Sequence, residues 1–200
     1  LLESGLSYTI WESGIYFATQ EVSAQSGTAH RLSAPYQAFK TKDGYINIGA
    51  ANQANWEKLC HAINKPEFIT KEQYVDNSSR MKNINKLVSS LNKEFELKPT
   101  SDWVEILISA GVPCGPILNM DEVLNHEQIK DRETVINLNH TKLGKIQNLS
   151  FPIKFSENPQ SLKLPPPLLG EHNNEILKEL GYSDKEIDKL KSESVITDSD

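Results

Sequence analysis

Residues 35–50 read Pro35-Tyr36-Gln37-Ala38-Phe39-Lys40-Thr41-Lys42-Asp43-Gly44-Tyr45-Ile46-Asn47-Ile48-Gly49-Ala50. Two short alternating runs flank Asp43-Gly44, and an Asp-Gly pair in that position signals a β-hairpin, with glycine expected to supply the positive φ of a tight turn. Downstream, Trp56, Leu59, Cys60 and Ile63 recur at spacings 0, 3, 4 and 7, the signature of one helix face, with Asn52 or Asn55 available as the cap. Ile84, Leu87, Val88, Leu91 and Phe95 share a second stripe. Trp103, Ile106 and Leu107 belong to a third helix from about Ser101, its expected cap, to Ala110, with Gly111 as its stop.

Outward from this centre, the order weakens. Residues 1 to about 22 carry apolar side chains on most sides, as in a helix buried between other elements, and Gly5 and Gly14 permit close approach. Residues 23–34 are small and polar without a period and read as an extended connector. Val112-Pro113-Cys114-Gly115-Pro116-Ile117 reads as a rigid crossing, followed by a short helix near Asp121–Leu124. Strands are expected at Thr134–Leu138 and Lys145–Leu149 around a turn at Leu143-Gly144. Pro165-Pro166-Pro167 stiffens an exposed stretch. A helix through Ile176, Leu177 and Leu180 closes at Gly181. Ser183 and Glu186 then form a capping box for a last helix carrying Ile187 and Leu190. The tail from Thr197 to Asp200 is polar and expected to fray.

The chain has 200 residues, 38% of them hydrophobic, and a formal net charge of −6. The acidic balance, with no dense Lys/Arg stripe, argues against nucleic acid as a partner. No apolar run reaches membrane-spanning length, and no basic segment precedes an apolar one as in a signal peptide. Cys60 and Cys114 lie outside any Cys-x-x-Cys pattern. Their spacing admits a disulfide, but two thiols in a reducing cytosol is the simpler reading. Five histidines without paired spacing do not suggest a metal site. Leu1 leads straight into apolar, helix-length sequence, which reads as an internal start.

Three stretches together resemble the family III CoA-transferases, the group of formyl-CoA and carnitine CoA-transferases. They are Gly27-Thr28-Ala29-His30 followed by Pro35 to Tyr45; Gly111-Val112-Pro113-Cys114-Gly115-Pro116; and Pro167-Leu168-Leu169-Gly170-Glu171-His172 leading into Glu175 to Gly181. Each is weak alone, but their order spans nearly the whole chain. The resemblance implies the C-terminal part of an α/β fold: a small inserted domain plus returning segments of a Rossmann-like large domain. On that template residues 1–25 are a helix and linker of the large domain, 26–98 the small domain, and 99–200 the return segment. Two subunits of this family interlock, so a homodimer is implied.

The implied activity moves coenzyme A from an acyl-CoA to a small carboxylic or dicarboxylic acid. No cofactor is bound; the CoA thioester is a substrate. The family's nucleophile is an aspartate that forms an anhydride and then a CoA thioester. It is expected upstream of Leu1, so no catalytic residue is assigned within the chain. A racemase of α-methylacyl-CoA, sharing the architecture, and a non-catalytic dimerisation fragment remain alternatives. The implied location is cytoplasmic, or mitochondrial or peroxisomal in a eukaryote.

The candidate substrate-binding residues are Gly27, Thr28, His30 and Arg31. Some family members carry a glycine-rich loop near this position. Here an imidazole and a guanidinium take its place, chemistry suited to a carboxylate. The other candidates have structural readings. Asp43 suits a hairpin turn, Asp121 and Glu122 start a helix, and Glu171 precedes a helix dipole. His61 reads as a surface residue and His172 as a helix-start residue bonding nearby backbone. Cys114 lacks an activating partner. The stripes around Trp56 and Trp103 read as core or interface.

Overall fold

Strand β1 (Tyr36–Lys40) pairs antiparallel with β2 (Tyr45–Gly49), placing Tyr36 opposite Gly49 and Lys40 opposite Tyr45. Alternation sends Phe39, Ile46 and Ile48 into the core and leaves Tyr36 and Tyr45 exposed. The molecule is described by a computed structural model covering residues 1–159, 162 and 164–197. The turn is closed by Thr41 N donating to the Gly44 carbonyl (2.9 Å) and Gly44 N donating to Thr41 Oγ1 (3.1 Å). Gly44 lies outside the left-handed region, contrary to the sequence expectation. Glycine is favoured there for a different reason: a Cβ would sit a tight 3.2 Å from Thr100 Oγ1.

A third strand, β3 (Cys114–Pro116), pairs antiparallel with β2, Ile48 facing Cys114 and Ile46 facing Pro116. The expected rigid crossing is therefore partly a strand. Three residues ending in a proline, which has no N–H to donate, carry no readable alternation.

Five helices share a core with this sheet. Helix α3 (Gln53–Ala62) is capped by Asn52, whose side chain accepts from Asn55 N (2.8 Å). Helix α4 (Glu67–Thr70) is one turn long, and α5 (Asn77–Lys82) is capped by Asp76 accepting from Ser79 N (2.7 Å). Helices α6 (Ile84–Phe95) and α7 (Thr100–Ser109) complete the layer and lie directly against the strands of the sheet. The three predicted stripes supply the core: Trp56, Leu59 and Cys60; Leu87, Leu91 and Phe95; Trp103 and Leu107. Each such aliphatic or aromatic side chain contributes roughly 1.5–3 kcal/mol by leaving water. Phe95 bridges the layers, its ring 5.2 Å from Phe39 and 5.1 Å from Trp103, while Trp103 Nε1 donates to the Phe95 carbonyl (2.8 Å).

Ser101 does not cap α7. The residue at the cap position is Pro99, and the free N–H of Thr100 is taken instead by Asp43 Oδ1 (2.8 Å), which also accepts from Thr100 Oγ1 (2.9 Å). Asp43 thus pins the hairpin turn to a helix start 57 residues away.

The expected long N-terminal helix is two helices, α1 (Leu2–Ser7) and α2 (Ile10–Thr19), broken at Tyr8-Thr9. It is not buried. Leu2, Leu6, Ile10, Trp11 and Phe17 keep 60–86% of their surface exposed, and Gly5 and Gly14 face no neighbour. No element among the described residues covers the apolar sides that suggested burial.

The chain divides into two compact units, Leu1–Ile117 and Leu118–Asp200. The second begins with α8 (Met120–Asn125), which carries an Asn119/Glu122 capping box, and α9 (Glu127–Asp131). A two-stranded sheet follows, β4 (Val135–His140) with β5 (Gly144–Leu149), its turn using Gly144 at φ 71°. Helices α10 (Asn173–Glu179) and α11 (Asp184–Ser192) close the unit. The Ser183/Glu186 capping box forms as expected, and Gly181 stops α10 at φ 88°. Of the tail expected to fray, residues 198–200 lie outside the described residues.

Candidate functional site

Between α2 and β1 the chain has neither helix nor strand, so its shape is set by isolated backbone hydrogen bonds and side-chain contacts. Gly27 adopts φ 60°, and Ala29 N closes the turn onto the Ser26 carbonyl (3.0 Å). Thr28 Oγ1 accepts from Ala38 N (3.1 Å), tying the connector to β1. His30 N donates to the Tyr36 carbonyl (2.9 Å), and the imidazole stacks coplanar on Tyr36 with ring centres 5.3 Å apart. His30 Nδ1 accepts from Leu32 N (3.2 Å), so the proton of the neutral ring is on Nε2, which is left as a donor.

Arg31 turns back toward α2. Its Nη1 donates to Glu12 Oε2 (2.8 Å) and Ser23 Oγ (2.6 Å), and Ser23 Oγ donates to the same Glu12 oxygen (3.0 Å). The Arg31 hydrogen bond, then that from Ser23, holds the Glu12 carboxyl below its ordinary pKa.

The connector's exit is anchored from α5. Asn77 accepts from Ala34 N (3.1 Å) and donates to the Leu32 carbonyl (2.9 Å). Arg80 is 1% exposed. It donates to the carbonyls of Ala34 (2.7 Å), Tyr74 (3.1 Å) and Ala51 (3.4 Å) and to Gln53 Oε1 (3.1 Å), with its guanidinium 5.1 Å from the Trp56 ring centre. Burial lowers its pKa, yet a guanidinium stays charged.

These contacts shape a cavity of about 600 Å³ lined by Trp11, Glu12, Ser23, Ala24, Ser26 and Tyr36 together with residues 27–31. All four candidate residues, Gly27, Thr28, His30 and Arg31, line it. Trp11, Glu12, Ser23 and Tyr36 were not anticipated. Their only signal was the presence of one acidic and one hydroxyl side chain close before an isolated arginine.

The pocket offers a guanidinium, an imidazole N–H and a hydroxyl beside two aromatic rings. That set has the donors that pair with a planar anion, and it offers no activated nucleophile, since its one carboxylate, Glu12, is already paired. The other candidates lie elsewhere in structural roles. Asp43 caps α7, and the backbone N–H of Thr100 holds its pKa low. Glu171 accepts from Leu168 N (2.7 Å) and from the Thr141 hydroxyl. His172 occupies the α10 cap position, and its side chain makes no capping bond there. His61 is exposed on α3. Both cysteines are free; burial pushes the Cys60 thiol up to about 12 and raises Cys114. Among the described residues, no cluster of three or more His, Cys, Asp or Glu side chains could hold a metal ion.

The sequence pattern of CoA-transferase family III matches residues 1–173, and the chain belongs to that family. It is 39% identical over 182 residues to a human succinyl-CoA:glutarate CoA-transferase, covering 90% of this chain and 42% of that protein. It is 34% identical over 136 residues to a formyl-CoA:oxalate CoA-transferase from Rhodopseudomonas palustris, covering 68% of this chain and 32% of that one. The crystal structure of a CaiB/BaiF family protein from Brucella suis superposes with a TM-score of 0.71 at 28% identity, over 86% of this chain and 44% of that chain. The chain thus spans less than half the length of these relatives.

Proposed function

We propose that this chain is part of a longer enzyme that transfers coenzyme A from an acyl-CoA to a small carboxylic acid, and that a dicarboxylic acid is accepted at the Arg31 pocket. The observation that carries the reading is the pairing of family membership over residues 1–173 with a guanidinium and an imidazole N–H in one cavity. The relatives named for glutarate and oxalate act on dicarboxylates, which supports the substrate class.

The nucleophile in this proposal is an aspartate outside residues 1–200, inferred from the resemblance. Its carboxylate adds to the donor thioester, expelling CoA thiolate and leaving an acyl–aspartyl anhydride. The thiolate then attacks the aspartyl carbonyl, forming the aspartyl-CoA thioester and releasing the donor acid. The acceptor carboxylate repeats both steps in reverse order. Arg31 and His30 would orient the acceptor, which needs no proton removed because it reacts as the anion. Residues 1–25 are assigned to the large domain, 26–98 to the small domain and 99–200 to the return segment. The exposed apolar side chains of α1 and α2 support an assembled, dimeric enzyme.

The test is to supply the longer protein with succinyl-CoA and glutarate and follow glutaryl-CoA by mass. Transfer supports the reading. Exchange of the α-proton of an acyl-CoA with solvent, without transfer, refutes it in favour of a racemase. The 200-residue chain alone should give no turnover.

A further inference from the structure

The carboxylate site at Arg31 is already filled from within the chain. Glu12 reaches it from α2, but through single atoms: one oxygen, Oε2, meets one nitrogen, Nη1. Among the described residues, no hydrogen bond reaches Arg31 Nε or Nη2. The Glu12 side chain is 49% exposed, that of Arg31 only 19%. The cation is therefore the more enclosed partner and the carboxylate the one more open to solvent. Ser23 Oγ contacts both, accepting from Arg31 Nη1 (2.6 Å) and donating to Glu12 Oε2 (3.0 Å), so it offers Arg31 a second partner.

We propose that Glu12 is an internal competitor for the acid-binding site, a carboxylate that holds Arg31 until an incoming acid displaces it. This rests on the reading that Arg31 receives the substrate acid. A free carboxylate can take the guanidinium side-on through two parallel N–H···O bonds, a stronger arrangement than the single contact it replaces. The exchange swaps one anion for another beside the same cation, so the pocket is not left with an unpaired charge. Removing an exposed ion-pair competitor of this kind changes an equilibrium constant only modestly. Glu12 thereby discriminates against weak single-point anions and admits those able to grip both edges of the guanidinium. It is a specificity-determining residue whose sign of action is opposite to that of a residue that merely orients Arg31.

That opposition supplies the experiment. Glutarate is titrated by calorimetry into the longer protein and its variants, with Tm monitoring the fold of each. Arg31→Gln weakens glutarate by about tenfold or more. Glu12→Gln tightens it by about two- to fivefold, and Glu12→Asp, one methylene shorter, moves in the same direction. If Arg31→Gln weakens glutarate but Glu12→Gln leaves it unchanged or weaker, the competitor role is overturned while the acid site stands. If glutarate does not bind, or Arg31→Gln has no effect, the acid-site reading itself fails, and this proposal with it.

Discussion

Replacing Arg80 by methionine tests how the pocket is held in shape. The side chain fills similar space but donates nothing, so three carbonyls and Gln53 Oε1 lose the guanidinium at distances of 2.7–3.4 Å. Each hydrogen bond from a charged donor is worth about 1.5–3 kcal/mol, and the stack on Trp56 adds about 1 kcal/mol. Relieving the burial of the cation returns several kcal/mol. The expected net loss is about 3 kcal/mol, because buried carbonyls left without donors cost about 1–3 kcal/mol each. For a unit of this size that corresponds to a fall in Tm of about 12 °C or more. The assay is urea unfolding followed by the fluorescence of buried Trp56 and Trp103. Arg80→Lys should fall between, since an ammonium keeps the charge without the planar fork. A methionine variant within about 1 kcal/mol of wild type would refute the reasoning that Arg80 clamps the connector to α5.

Leu91→Ala, at a fully buried position of α6, should cost about 2–5 kcal/mol by the same unfolding measurement. Asp43 has a lowered pKa in the fold, so its contribution is present above the unfolded value of about 3.9 and is lost as pH falls through the folded value. Stability profiles of Asp43→Asn should therefore lie below wild type at neutral pH and converge with it in acid. Cys60, its thiol raised to about 12, should resist alkylation by iodoacetamide in the native protein, while half-buried Cys114 reacts first.

The hairpin and the three helical stripes were legible because their cues are local: Asp-Gly between alternating runs, and apolar residues at helical spacing. The same logic failed where the partner is distant. Asp43 looked like a turn residue, and only the fold reveals that it caps a helix beginning at Thr100. Ser101 looked like that cap because sequence shows only neighbours. β3 was hidden because three residues with a proline leave no pattern. Arg80 attracted no attention, since nothing around it in sequence marks a charge destined for the core. His30 and Arg31 stood out as charged or aromatic residues in a small, polar connector. Glu12 did not, because α2 was read as buried and its acidic side chain had no assigned direction.

Initial-rate kinetics of the full-length enzyme with Arg31→Gln bear most directly on the claim that this chain supplies the acid-binding side of a family III CoA-transferase. The account predicts that KM for glutarate rises about tenfold or more, and that KM for succinyl-CoA, whose acyl group keeps a free carboxylate, rises with it. An unchanged KM for glutarate would contradict it.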